Sequence, residues 1–416
     1  MKKNLALILL VPFTLFGENL SELVDLSKNN KLINASQQTI DAQKAEYASV
    51  KGGYLPSLTI GANYQVTNRE TSSTPDNSTS MYGKISYTIY DGGARGNTFD
   101  SYEHSIRSSK ESLIDYKNRI ALQVINYYYS YLSLVSQKEA KSKELEQLRA
   151  QEERLRRFLD AGTATDDEVQ LITSNVESAN VSLHEIELEI QTILHNLEYT
   201  VGKAVDITAG STIKEFTTKE QLLRSDILAL ESNMQALLST AKSKKSGYYP
   251  TLTISDTYTN YDLDYKTNAL ASNAYSSNTD DYNQNVALLS LTWNIFSFGQ
   301  TKNAYKSSYK KYLALKSQYE YEKNKASVDL RLALKSYDIG KLKIASAYAG
   351  LKAAQTAYEA IKAKFQNGIV DNVAYLEALS NRFDAQSVLK TAQYDLEIKK
   401  ANIIYYNGKT LEEFIK

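Results

Sequence analysis

From Leu58 the chain alternates. Leu58, Ile60, Ala62, Tyr64 and Val66 are apolar or aromatic, while Thr59, Gly61, Asn63 and Gln65 between them are small or polar. A period of two is that of a strand with one apolar face. After a Ser/Thr/Asn-rich stretch from Thr67 to Ser80 the alternation resumes, with Ile85, Tyr87 and Ile89 set against Lys84, Ser86 and Thr88. It recurs later, where Ala287, Leu289, Leu291, Trp293 and Ile295 oppose Leu288, Ser290, Thr292 and Asn294. The pattern predicts two hairpins of strands about ten residues long, each with a long polar loop, the second spanning about 260 to 285.

Elsewhere the period is helical. Leu23, Leu26, Leu32, Ile33 and Ile40 predict a helix from about Asn19 to Val50, and Leu222 to Lys244 is its counterpart. Each runs into Gly-Tyr-x-Pro, at Pro56 and Pro250, because proline disfavours helix at the preceding residue and donates no backbone hydrogen bond. Beyond Gly93 and Gly299 come about 65 residues free of proline, a helix of roughly 100 Å at 1.5 Å per residue. In the first of these the repeating positions are Ile120, Val124, Tyr127, Tyr131, Leu134, Leu145, Leu148 and Leu155. After a turn at Gly162, the series Ile172, Val176, Ala179, Leu183, Ile186, Ile190, Ile193 and Leu197 advances by alternate steps of four and three, the seam of a coiled coil on a returning helix of about 35 residues.

These elements are written twice. YLPSLTI at 54–60 matches YYPTLTI at 248–254, and Ile89, Gly93, Asn97, Gly162 and YTVGK at 199–203 meet Ile295, Gly299, Asn303, Gly368 and YYNGK at 405–409 at one offset of 206. The chain is a tandem duplication of one supersecondary unit. The division read from it is a signal peptide at 1–17, a first repeat at 18–204, a connector at 205–218 and a second repeat at 219–416.

Composition narrows the function. The 48 basic and 48 acidic side chains cancel, so there is no positive field to attract nucleic acid. The absence of cysteine removes disulfides, thiolate metal sites and cysteine nucleophiles. His104, His184 and His195 lie on predicted helices without partners at i+4, GGARG at 92–96 lacks the lysine and spacing of a phosphate loop, and no metal, cofactor or catalytic site is expected. Lys2, Lys3 and the apolar run from Leu5 to Phe16 ahead of Gly17 have the form of an export signal.

An exported chain without a long apolar helix crosses a membrane only by strands. On the strands alone a soluble sandwich serves as well as a barrel. The export signal, the long loops at one end and the tyrosine-rich strand margins favour the barrel, with Tyr64, Tyr87 and Trp293 in its aromatic girdle. Four strands do not close, and lipid tolerates no open sheet edge, so several chains must share the barrel.

The duplicated order of helix, Tyr-x-Pro-x-Leu, hairpin, Ile-(Tyr/Phe)-(Asp/Ser)-x-Gly, very long helix, glycine turn and returning helix resembles the TolC-type outer-membrane efflux proteins, the outer-membrane factors, over the whole mature chain. The resemblance implies a mainly α fold with β: a homotrimeric 12-stranded barrel, four strands per chain, in the lipid of the outer membrane of a Gram-negative bacterium, continued by a long α-helical barrel through the periplasm. It implies a passive exit duct of a tripartite efflux pump or type I secretion system, not an enzyme, with a periplasmic adaptor and an inner-membrane transporter as partners.

Carried onto this sequence, the resemblance puts Gly162, Thr163, Gly368 and Ile369 at the periplasmic tip against the adaptor. It places Glu168, Glu377 and Phe365 at the tunnel aperture. Ala374 stands where the family often has aspartate, Val370 where an arginine braces the closed tip, and Phe365 where a tyrosine joins the network, so fewer polar links are expected. Glu168 and Glu377 also suit ordinary helix-start carboxylates. The alternative from another class is a secreted coiled-coil filament or adhesin stalk, which requires no hairpin at Pro56 or Pro250.

Overall fold

The computed structural model describes residues 17–69, 71, 74–216, 222–265 and 279–416. All but the last residue of the expected signal peptide lies outside them. The elements are α1 (Leu20–Ser27), α2 (Lys31–Gly53), β1 (Ser57–Val66), β2 (Asn77–Tyr90), α3 (Ala94–Asp160), α4 (Asp166–Val201), α5 (Ser225–Lys244), β3 (Thr251–Asp264), β4 (Thr279–Thr292), α6 (Gln300–Gln366) and α7 (Asn372–Tyr406). Both long helices have 67 residues. Among the described residues no helix is long and apolar enough to cross a membrane. The chain forms two compact units, one of Gln37–Glu111 and Ile227–Tyr321, the other of the remaining segments.

In the first unit the strands form one antiparallel sheet in the order β1-β2-β3-β4. The hairpins stand after Pro56 and Pro250, where the filament reading required none. β2, β3 and β4 each have 14 residues, longer than the ten expected. The extra length comes from Ser, Thr, Asn and Asp positions at the loop ends, which keep the pairing going to Asn77 with Asp264 and Asp264 with Thr279. Their polarity masked them as loop in the sequence.

Register puts one kind of side chain on each face, because paired residues point the same way. Leu58 stands opposite Ile85, Tyr87 opposite Ile254 and Ile254 opposite Leu289, and this face is exposed, Ile60 to 83%. Asp256 interrupts it, between Ile85 and Ala287. The other face carries Thr59, Lys84, Thr257 and Ser255 against Ser86, with Leu263, Val286 and Leu288 among its apolar exceptions. β1 and β4 are edge strands.

Against the start of α3 in this unit, α2 supplies Tyr47, stacked on Tyr102 at 5.8 Å, and α5 supplies hydroxyls, with Ser101 Oγ 2.8 Å from Thr240 Oγ1. The second unit holds the helical core. Leu145, Leu148 and Leu155 of α3 pack on Val169, Ile172, Val176 and Ala179 of α4, so the seam read from the sequence is the buried one. Ala140 of α3 packs with Leu379 and Phe383 of α7 and Tyr358 of α6.

Three expectations are corrected. The first helix breaks at Lys28–Asn30, where the Asn30 side chain accepts from Leu32 N at 2.8 Å and donates to Thr200 O at 2.9 Å, capping a new helix. The counterpart helix begins at Ser225, not Leu222. On α3 the fully buried tyrosines are Tyr128 and Tyr129, not Tyr127 and Tyr131. Their hydroxyls donate to Thr208 O at 2.9 Å and Ser211 O at 3.1 Å in the connector, while Ile120, Val124, Leu134, Leu145, Leu148 and Leu155 of the expected stripe are buried as read. Burial pushes the Tyr129 hydroxyl pKa well above the ordinary range.

Candidate functional site

The two glycine turns close the long helices by the same backbone device. Gly162 has φ +72 and Gly368 φ +69, the left-handed region open to glycine at little cost. Thr163 N donates to Phe158 O at 2.8 Å and Ile369 N to Lys364 O at 2.9 Å, so each bond reaches back five residues to satisfy a carbonyl that the helix end leaves over. A Cβ at either glycine would meet open space, so conformation and not crowding selects the residue. Thr163 and Ile369 are exposed on these turns, Ile369 to 70%.

The returning helices then start with different side chains. Thr165 N donates to Glu168 Oε2 at 3.0 Å in a capping box, so the Glu168 carboxylate is engaged by its own helix. In the second copy Asp371 caps instead, accepting from Ala374 N at 2.9 Å. Ala374 contributes its backbone N–H to this cap.

Glu377 is exposed, one turn into α7, on a groove of about 470 Å³ lined by Lys141, Glu144, Leu171, Leu376 and Ser380. On its floor Lys141 Nζ donates to Glu144 Oε2 at 2.7 Å, and Ser380 Oγ to Glu144 Oε1 at 3.1 Å. Burial raises the carboxyl pKa of nearby Asp384, against the pull of Lys141.

Phe365 lies in a cluster that the sequence did not reveal. Its ring stacks on Tyr375 with centroids 4.7 Å apart, and the Arg154 guanidinium sits 5.2 Å from the Phe158 ring and 5.3 Å from the Phe365 ring. One cation therefore touches the ends of both long helices. Burial, with a hydrogen bond to Tyr358, pushes the Tyr375 hydroxyl up to about 12. Arg382 lies 4.2 Å from the Tyr358 ring, and Gln151 Nε2 donates to Asn372 Oδ1 at 2.6 Å. At Phe365 the contacts are thus an aromatic stack and a cation–π pair. The local signal was Arg154 four residues before Phe158; its second partner is too far along the chain for spacing to expose.

At the sheet, Tyr64 stands opposite Thr79, and Tyr87 lies eight positions further along β2. At about 3.4 Å per residue that separates the two aromatic positions by roughly 27 Å along the strand. Tyr87 accepts from Arg95 Nη1 at 3.1 Å. Trp293, just past β4, donates from Nε1 to Tyr248 O at 3.1 Å and is half exposed. Among the described residues no group of His, Asp or Glu is arranged to hold a metal ion.

Residues 23–203 and 219–408 match the family Outer membrane efflux protein. The chain is 21% identical to Outer membrane protein TolC of Salmonella enteritidis over 419 residues, covering 95% of this chain and 83% of that one. Among solved structures it resembles the Campylobacter jejuni CmeC outer membrane channel, with a TM-score of 0.82 at 17% identity over 96% of this chain and 86% of that chain. It also resembles the outer membrane protein VceC of Vibrio cholerae, with a TM-score of 0.81 at 15% identity over 94% and 96%.

Proposed function

The chain belongs to the outer membrane efflux protein family, and from that premise we propose that three copies form the exit duct of a tripartite efflux pump or type I secretion system. The sheet carries this reading. It has four strands, an exposed apolar face and two edge strands. In hydrocarbon each unpaired backbone group on an edge costs several kcal/mol, so the edges must pair. Joining β4 of one copy to β1 of the next, three times, gives a closed 12-stranded barrel with Leu58, Ile60, Leu289 and Leu291 toward lipid and the Ser/Thr face toward water.

The helices continue that barrel as a water-filled conduit. A duct lowers no chemical barrier; it supplies a polar path and a constriction. The glycine turns, with Thr163 and Ile369 exposed on them, receive a periplasmic adaptor, which links the duct to an inner-membrane transporter. Glu377 and the Arg154–Phe365 contact set the aperture.

Conductance of the detergent-purified protein in a planar lipid bilayer tests this reading, alongside Glu377→Ala. Discrete channels whose cation selectivity or block by divalent ions weakens in the variant are expected. Properly folded oligomer with no channel activity rejects the duct.

A further inference from the structure

Lys84 is the only basic residue in the four strands. Register sets it opposite Thr59 on β1 and Thr257 on β3, so it stands on the Ser/Thr face, with Ser57, Ser86 and Ser255 paired in the next row. Its side chain is exposed, and among the described residues it has no ion pair or hydrogen-bond partner.

The acidic residues of the strands are placed apart from it. Asp256, Asp262, Asp264 and Asp281 follow the outer alternation, in rows with Ile85, Thr79 and Asn77. Asp280 is six residues along β4 from Val286, the position level with Lys84, or roughly 20 Å. An ammonium group among hydroxyls offers hydrogen-bond donors together with positive charge, and no carboxylate shares its row to compete for it. A wall of that kind favours anions, as rings of lysine or arginine do in anion pores.

We propose that Lys84 of three copies forms a cationic collar inside the barrel, a binding site for polyvalent anions that bear phosphate or carboxylate groups. This rests on the trimeric duct reading above and adds a site within the duct. Twelve strands about 4.8 Å apart, tilted by about 40°, have a backbone radius of about 12 Å. A lysine reaching about 6 Å inward then leaves three ammonium groups roughly 10 Å from one another, about one Debye length at 0.1 M salt. Their fields overlap on the axis, where an anion lies about 6 Å from each, and a trivalent anion gains about three times the attraction that chloride does. At 1 M salt the Debye length falls to about 3 Å, and the collar ceases to act at that distance.

Single-channel current of the full-length oligomer in planar lipid bilayers, with inorganic tripolyphosphate added to both chambers at about 0.1 M KCl, tests the site. Wild-type channels are expected to be blocked as tripolyphosphate rises. Lys84→Gln should need about tenfold more for half block, and Lys84→Arg should behave as wild type. Lys84→Gln combined with Thr257→Lys moves the cation to the next strand at the same level and restores the block. Thr257→Lys alone doubles the charge at that level and lowers the half-blocking concentration, so the outcome does not hang on Lys84→Gln. Raising KCl to about 1 M weakens the block in every channel.

Equal block of wild type and Lys84→Gln, or wild-type channels that tripolyphosphate leaves open, overturns the collar and leaves the duct standing. Block that persists undiminished at high salt also overturns it. Properly folded oligomer that forms no channels overturns collar and duct together.

Discussion

The hydroxyl of Tyr405 donates to Asp115 Oδ1 at 3.1 Å, across 290 residues of sequence, with Arg119 Nε 2.8 Å from the other carboxylate oxygen. Arg224 lies 5.4 Å from the Tyr405 ring and pairs with Asp226. α3, α6, α7 and the lead into α5 meet at this knot, since Arg224 also reaches Asp329 at 3.8 Å.

Burial holds the Asp115 carboxyl above the ordinary aspartate range, and Arg119 only partly opposes it. A proton is therefore bound more tightly in the folded than in the unfolded chain. Stability from this group is greatest at low pH and falls as pH rises from about 4 through the raised value, then levels off. Asp115→Asn keeps the Tyr405 bond and removes that fall, so its thermal midpoint in detergent should match or exceed wild type at pH 7. Tyr405→Phe should cost about 1–2 kcal/mol by leaving the buried carboxylate short of a donor.

At the tip, Gly368→Ala forces a Cβ into a left-handed conformation at a cost of about 1 kcal/mol. Hydrogen exchange at the Ile369 amide, whose bond to Lys364 O depends on that turn, should quicken, with amides in the middle of α6 unchanged. Equal protection in the variant would mean that the turn relaxes without cost.

Arg154→Ala removes the contact to Phe158 and Phe365 together, worth about 0.5–2 kcal/mol at a partly desolvated site. In planar bilayers the expected result is larger or longer open events than wild type, with Arg154→Lys between the two. Unchanged conductance would take Phe365 out of the aperture.

The sole tryptophan reports its own depth. Trp293 emission in vesicles should be quenched more by lipids brominated near the headgroup than by those brominated deep in the chain. The opposite order would move the barrel by several residues.

Phe298 has φ +47 and is 90% exposed, at the position where the first copy has Gly92, itself at φ +67. A left-handed non-glycine residue costs about 1–3 kcal/mol, and glycine's added chain entropy returns about 0.5–1 of it. Phe298→Gly should therefore raise stability by about 1 kcal/mol in denaturant unfolding. A loss would show that the aromatic ring, packed on Phe296 at 4.6 Å, contributes more than its backbone costs.

Strands and the inner α4 seam were legible because each is a repeated choice, visible as a period in nearby residues. The Tyr128 and Tyr129 stripe was not, because what buries these rings is the connector near Thr208 and Ser211, an irregular segment with no period of its own. The glycine turns could be placed from Gly162 and Gly368 alone. What braces them could not: Arg154 meets Phe365 only after the second repeat has folded beside the first. The break before α2 carried its signal in Asn30, which the run of apolar residues on both sides outweighed.

The two helix starts after the turns ask for the same thing, relief for backbone N–H groups that no preceding turn can accept. In one copy a threonine and a glutamate three residues on share the task; in the other an aspartate performs it and alanine takes the glutamate's place. Compared letter by letter, 165 with 371 and 168 with 374, the copies disagree at both sites, and the carboxylate has moved by three residues. Equivalence between duplicated halves is therefore carried by the backbone group that is served, and a comparison that asks only which side chain matches which will count a preserved solution as two losses.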